Sequence, residues 1–372
     1  MEGYITLLHL FAYFLMLGAM LNTKKLWERF FQFSIAASTL QALYGLGQLL
    51  HIAGLTPSSQ SGPRLDGTFG NATYLAVFML FNVFITLFML VRQRRSVQLQ
   101  AVYGVALVLQ FSVLFFTQTR GALLGALGGL CIAGVYIAWR ATAPEWRTLR
   151  RSSFVGLGAF LVLVALFMSV RHTSFIQKSE TLSRIASISL SDRTTTSRFQ
   201  IWSMALEGFK EKPIQGWGQE NFSFVFNKYY LPTMYSQEQW FDRAHNQFLD
   251  WLIAAGLPAF LLYLSFFALA VWLIMQSEVL TVPEQALLLG LLGGYAFNNM
   301  LVFDDLISSV YFFMLLAFIH GLAKHPLPSR LFLSRPVSNQ GVAILAPIVL
   351  VMTLVGCWAL NAPGIARAEK IL

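Results

Sequence analysis

Three basic side chains in this sequence could act together on a phosphorylated substrate. Arg120 lies between two apolar runs, Arg198 lies in the long polar segment 170–246, and His245 lies near the end of that segment. A guanidinium binds two phosphate oxygens at once, and an imidazole exchanges a proton near neutral pH. These residue types predict a site in which arginines hold a diphosphate and His245 performs acid–base chemistry.

Both arginines also have an ordinary structural interpretation. Arg120 could reach lipid headgroups, because a charge close to hydrocarbon is costly and long cationic side chains extend to the interface. Arg198 could form a surface ion pair. Against this, Ser197 could cap a helix over residues 198–212, and the N-terminus of such a helix favours anions.

His245 could likewise be a hydrogen-bonded structural residue. Asp242, Asn246 and Asp250 lie close enough along the chain to orient its ring. The next apolar run begins directly after it, so we expect a rigid helix to hold His245 at the membrane surface. Arg64, in a glycine-containing loop, could wrap a phosphate or a sugar, or simply belong to a turn.

The composition places these residues in a membrane protein. Hydrophobic residues make up 56% of the chain and charged residues only 12%, against roughly 25% charged residues in ordinary soluble domains. The apolar runs have the length of membrane spans and lack the period-two alternation of a barrel strand. We predict an all-α, polytopic helical membrane protein. The ten predicted spans are residues 4–21, 31–53, 70–91, 97–117, 121–139, 153–169, 247–275, 283–303, 306–323 and 341–360.

The net charge of +9 follows membrane topology and does not indicate a nucleic-acid partner. Basic residues concentrate in alternate loops, which the positive-inside rule assigns to the cytoplasm. These residues are Lys24, Lys25, Arg29, Arg92, Arg94, Arg95, Arg140, Arg147, Arg150, Arg151, Lys324, Arg330 and Arg335. Segment 170–246 is then a large loop on the outer side, carrying short helices.

The spans and the loop predict four regions. They are an N-terminal transmembrane region, the outer loop, a C-terminal transmembrane region and the start of an outer C-terminal segment, at residues 1–169, 170–246, 247–361 and 362–372. Because the N-terminus also falls outside without a signal-peptide pattern, we expect further spans to precede this chain. The span that follows Arg120 has a row of small residues, which predicts that it packs closely against another helix. These residues are Gly121, Gly125 and Gly128.

Several strings in the sequence resemble bacterial O-antigen ligases and the related O-antigen polymerases. They are Arg64…Gly67-Thr68-Phe69-Gly70-Asn71…Leu75-Ala76, Thr119-Arg120-Gly121-Ala122, Ser197-Arg198…Trp202…Pro213-Ile214…Gly216-Trp217-Gly218…Asn221-Phe222 and Ala244-His245-Asn246…Leu249…Gly256. They occur in the family's order.

The resemblance implies a GT-C-like membrane glycosyltransferase of the bacterial inner membrane, without metal or cofactor. Its donor would be a glycan on a polyprenyl diphosphate, and its acceptor a hydroxyl of a glycan, lipid or protein on the periplasmic or extracellular side. By motif, the family's essential arginines correspond to Arg120 and Arg198, and its loop histidine to His245. The further residues expected to bind substrate are Arg64, Arg243, Asn246, Trp217 and Asn221.

Other functions remain open from the sequence. Within the family, the chain could be an O-antigen polymerase or a protein O-oligosaccharyltransferase. From other classes, it could move the lipid-linked glycan across the bilayer or serve as a non-catalytic scaffold. Few ionisable residues lie at the span centres, which argues against a proton-coupled transporter.

Overall fold

The computed structural model of the protein describes residues 3–52, 54–59, 61–187, 193–235, 240–323 and separate positions between 341 and 358. Regular structure in these residues is helical, without a β-strand. The helices are α1, Tyr4–Met20; α2, Lys24–Leu49; α3, Ala72–Arg92; α4, Val97–Phe116; α5, Arg120–Arg140; α6, Arg147–Val170; α7, Ser174–Lys178; α8, Glu180–Ala186; α9, Arg193–Glu211; α10, Phe222–Lys228; α11, Gln247–Gln276; α12, Val282–Asn299; and α13, Leu306–Gly321.

The predicted spans from residue 4 to residue 323 each coincide with a helix. By length and composition, five helices could cross a membrane: α3, α4, α5, α6 with the short turn before it, and α11. The prediction of an all-helical membrane protein is therefore confirmed in its general form, while the number of crossings stays a prediction. Residues 362–372 and most of the tenth predicted span, 341–360, lie outside the described residues.

The polar segment lies at one end of the helix bundle, which we call the loop end. Helix α6 ends there, α11 begins there, and α9 and the short helices α7, α8 and α10 lie between them along the chain. At the opposite end, Arg92 pairs with Glu28 at 2.9 Å and with Glu284 at 3.3 Å. These contacts join α2, α3 and α12, and losing one partner would leave a buried charge uncompensated.

Glycines bring α5 and α12 into close contact. A Cβ on Gly125 would lie 2.5 Å from the carbonyl oxygen of Gly294, and one on Gly129 would lie 2.4 Å from that of Gly290. Gly128 has no neighbouring atom within 4 Å of such a position. The predicted glycine row is therefore right for Gly125 but wrong for Gly128, because every fourth residue, and not the third, continues this helix face. The contact fixes the start of α5 against the end of α12.

Helix α11 is broken, which corrects the prediction of a continuous span over 247–275. Gly256 has a φ of +70°, a backbone conformation that glycine adopts without a steric penalty. Two backbone N–H groups of the turn 213–218 donate to the carbonyls of Ile253 and Ala254, at 2.7 and 2.9 Å. The turn thus supplies partners for backbone groups that the break releases, as membrane-embedded backbone requires.

Candidate functional site

Arg64 and Arg120 are neighbours at the loop end. The Nε of Arg64 donates to the carbonyl of Thr117 at 2.9 Å, and its Nη2 donates to the Thr119 hydroxyl at 2.8 Å. Arg120 follows directly as the first residue of α5. Its Nη2 donates to the hydroxyl of Ser187, just after α8, at 2.8 Å. The start of α5 therefore has one guanidinium from the 61–71 loop beside its own.

A third guanidinium, from Arg184 of α8, interacts electrostatically with Arg64 and with Arg120. Burial, and then the charge of Arg184, lowers the pKa of Arg64 to about 10. Burial, and then the charge of Arg120, lowers the pKa of Arg184. At a pKa of about 10, the Arg64 guanidinium is cationic at neutral pH. In the described part of the chain, no acidic side chain forms an ion pair with Arg64 or Arg184, so this arginine cluster concentrates positive charge.

Arg184 was not among the predicted site residues. The stretch from 170 to 192 is rich in Ser and Thr, which favour caps and turns over helix interiors, yet it contains α7 and α8. The local signal is Ser179, whose hydroxyl accepts from the backbone N–H of Leu182 and caps α8. Such a cap predicts a helix but does not identify its neighbours in space.

Arg198 lies in the second turn of α9, because that helix begins at Arg193. The predicted cap at Ser197 is therefore wrong, and so is the argument that a helix N-terminus assists Arg198. Burial explains the longer helix: Ile201 and Met204 on one face of α9 pack in a core with Phe226 of α10. This tertiary packing outweighs the weak helix preference of the Thr-Thr-Thr-Ser run at 194–197.

The segment before α11 is anchored to α9. Trp202, one turn after Arg198, donates its indole N–H to the carbonyl of Ala244 at 3.1 Å. Asp250 accepts from the backbone N–H of Ala244 at 2.8 Å. His245 follows with a φ of +51°, a left-handed conformation that is uncommon outside glycine. His245 is thus held in a strained turn that Trp202 anchors to α9 and Asp250 anchors to α11, the helix predicted to follow it, which begins at Gln247.

Two aromatic rings pack against the imidazole of His245. The His245 ring meets Phe241 and Phe303 edge to face, with centroid distances of 5.3 and 5.4 Å. Its Nδ1 lies 3.4 Å from the carbonyl oxygen of Arg243. The Arg243 guanidinium lies over the same Phe303 ring at 5.4 Å, with its Nη2 3.8 Å from Glu220. Phe303 therefore supports both basic groups.

The loop between α12 and α13 connects the arginine cluster to His245. Leu301 contacts α5 at Gly121, next to Arg120, at 3.6 Å from a Cβ built on that glycine. Phe303, two residues later, packs on the His245 ring. Two residues of extended chain span about 7 Å at most. Arg120 and His245 therefore both lie near residues 301–303, although they are distant in the sequence.

Three predicted substrate-binding side chains have structural contacts. Asn246 caps α11 by accepting from two backbone N–H groups of its first turn, at 3.0 and 3.2 Å. Asn221 donates to the carbonyl of Trp217 at 2.8 Å, and the Trp217 indole donates to the carbonyl of Gly208 at 2.8 Å. These contacts stabilise the helix start and the turn 213–218, and a role of the three residues in binding substrate stays a prediction.

Metal binding has no candidate among the residues that the structure describes. No three His, Cys, Asp or Glu side chains there lie close enough together to hold an ion.

These features define a multi-pass helical membrane protein with Arg64, Arg120, Arg184 and His245 at the loop end of the bundle. Residues 105–264 match the model of a family described as O-antigen ligase, which confirms the predicted resemblance over that segment. The segment contains Arg120, Arg198, His245 and the broken helix α11, and the family implies a membrane glycosyltransferase of the ligase or polymerase type. None of the curated proteins compared with the chain matches it.

Proposed function

We propose that this protein transfers a glycan from a polyprenyl-diphosphate carrier to an acceptor hydroxyl at the outer face of the bacterial cytoplasmic membrane, without metal or cofactor. The observation that carries the proposal is that the start of α5, where Arg64 and Arg120 meet, and His245 both adjoin residues 301–303. One ligand could contact both groups across this loop. The family match over residues 105–264 supports the same reaction class.

In the proposed mechanism, the arginine cluster binds the donor's diphosphate. The acceptor oxygen attacks the anomeric carbon while the bond from that carbon to the diphosphate oxygen breaks. Guanidinium groups aimed at the oxygens that gain charge stabilise the transition state more than the ground state. Hydrogen bonds already hold Arg64 and Arg120 in position, so little reorganisation is needed when the leaving group departs.

His245 is proposed to take the proton of the attacking hydroxyl. Because that hydroxyl attacks the anomeric carbon opposite the departing diphosphate, the configuration of this carbon is inverted. The diphosphate is a good leaving group and needs no general acid. Phe241 and Phe303 restrict the imidazole ring, and the anchored turn fixes its backbone. Arg198 and Arg243 are proposed to hold the donor, with Arg198 one turn from the Trp202 anchor.

The proposed sidedness follows from charge. The segments assigned to the cytoplasm carry the dense basic residues, and Arg92 lies at the end of the bundle opposite His245. The positive-inside rule therefore puts the loop end outside. A lipid-linked donor whose diphosphate lies at the outer interface would meet the arginine cluster at membrane level.

The Arg184→Ala variant is expected to lower kcat/KM for transfer by about 10- to 100-fold, the typical effect of losing one hydrogen bond to a charged group. The loss should appear mainly as weaker donor binding. The measurement is glycan transfer by the purified protein in nanodiscs, with binding of polyprenyl diphosphate measured in parallel.

Lys178→Ala is the matched control, because Lys178 is an exposed basic residue on neighbouring α7. Equal kinetics for the two variants would remove Arg184 from the donor site. A lipid transporter would instead move the donor between leaflets without consuming it, and a scaffold would do neither.

A further inference from the structure

A cavity of about 700 Å³ opens at the loop end between α1, α11 and α13. Its volume lies within the range of small-molecule binding sites. Phe11 and Phe313, each seven residues into its helix, line it, so the cavity reaches about 10 Å below the helix starts. The deeper walls are otherwise formed by residues such as Leu262 and Phe266. The cavity therefore suits a single apolar chain.

The end of the cavity nearest the helix starts is acidic and rich in amides. Asp304 and Asp305 border it together with Gln219 and Gln247. The Asp304 carboxylate is fixed by hydrogen bonds, including one of 2.6 Å from the Tyr295 hydroxyl. Burial raises the pKa of Asp304 to about 6, so it is still mainly ionised at neutral pH. Carboxylates at this position disfavour an anionic headgroup.

The cavity wall also contains a pair of aromatic rings. Trp251 and Tyr263 both line the cavity, and their rings stack at a centroid distance of 5.6 Å. Aromatic side chains present large apolar surfaces, so this pair adds to the apolar part of the wall.

We propose that this cavity binds the acceptor, and that the acceptor is an amphiphile with one apolar chain and an uncharged, hydroxyl-bearing polar group. This inference rests on the proposed glycan transfer and names its second substrate class. Carboxylates accept hydrogen bonds from sugar-like hydroxyls, and carboxamides both accept and donate such bonds. A hydroxyl there would also lie close to the imidazole, because Gln247 is two residues from His245 and Asp304 follows Phe303.

The donor fits this cavity poorly for a geometric reason. In a polyprenyl diphosphate the charged group joins the chain directly. A polyprenyl chain in the cavity would therefore bring its diphosphate against Asp304 and Asp305. Arg64, Arg120 and Arg184, which would attract that diphosphate, are not among the residues that line the cavity.

The test uses Ala259→Trp, which fills the cavity from α11, with Leu261→Trp as its control. Ala259 lines the cavity, whereas the side chain of Leu261 is 54% exposed on the outer surface of the same helix. The probes are dodecyl maltoside, dodecyl phosphate and polyprenyl diphosphate, each titrated against the protein in nanodiscs by native mass spectrometry. Ser309→Phe narrows the cavity from α13, and it replaces Ala259→Trp as the test variant if Ala259→Trp does not fold.

We expect wild type to bind dodecyl maltoside at least 10-fold more tightly than dodecyl phosphate. Ala259→Trp should weaken dodecyl maltoside binding at least 10-fold and leave polyprenyl diphosphate binding within two-fold, and Leu261→Trp should change neither. Weaker polyprenyl diphosphate binding in Ala259→Trp would assign the cavity to the donor. Unchanged maltoside binding in both cavity variants, or a preference for the phosphate probe, would overturn the inference. If the binding results hold but wild type transfers no glycan, the proposed function fails while the binding site stands.

Discussion

Replacing His245 by asparagine is expected to lower glycan transfer by about 10²- to 10⁴-fold, the usual contribution of a general base. Asparagine removes the imidazole but tolerates the left-handed backbone that this position adopts. The protein should therefore fold and insert as wild type does. The measurement is kcat for transfer by purified protein at saturating donor, together with the thermal unfolding midpoint.

Two comparisons make this result specific. His172→Ala removes an exposed histidine from the same polar segment, where it accepts a hydrogen bond from Arg171 at 3.1 Å, and should transfer glycan normally. His245→Asn should still bind polyprenyl diphosphate, because the arginine cluster is intact. Transfer near the wild-type rate by His245→Asn would eliminate the imidazole from the chemistry.

Gly129→Ala is expected to destabilise the protein by about 1–3 kcal/mol, the typical cost of overpacking a tight contact. Its Cβ would lie 2.4 Å from a backbone oxygen of Gly290 and 2.7 Å from the ring of Phe84. Neither helix backbone can move without disturbing the α5–α12 contact along its length. Because α5 begins at Arg120, transfer should fall as well. Thermal unfolding in detergent measures the first effect.

The adjacent glycine supplies the control. Gly128→Ala adds the same methyl group one residue earlier, where nothing lies within 4 Å. In an open position of a helix, alanine is favoured over glycine by about 1 kcal/mol. Gly128→Ala should therefore be neutral or slightly stabilising. Equal unfolding midpoints for the two variants would contradict the close packing of α5 on α12.

The helices were largely predictable because apolar runs of this length have few alternatives in a membrane. The break in α11 was not, although Gly256 and Pro258 gave a local signal. It depends on backbone contacts from the turn 213–218, more than thirty residues earlier in the chain. To decide whether Gly128 or Gly129 contacts α12, one must know which face of α5 meets that helix. Spacings of three and of four residues both fit one helix face, so the sequence leaves this open.

The candidate site was predictable in its residue types but not in its assembly. Arg120, Arg198 and His245 were identified by charge and resemblance. Arg184 was missed because α8 looked irregular in sequence. The role of Phe303 was also missed, because it was the last residue of the predicted span 283–303, where an apolar side chain carries no chemical signal. Its contact with His245 joins segments far apart in the chain.

The most direct test of the central claim is a turnover measurement on the wild-type protein. Purified protein in nanodiscs would be given a polyprenyl-diphosphate-linked glycan and a hydroxyl-bearing acceptor, and the products identified by mass spectrometry and nuclear magnetic resonance. The account predicts one free polyprenyl diphosphate for each glycan transferred, with inverted anomeric configuration in the product. Donor that is recovered intact, or a product with retained configuration, would contradict it.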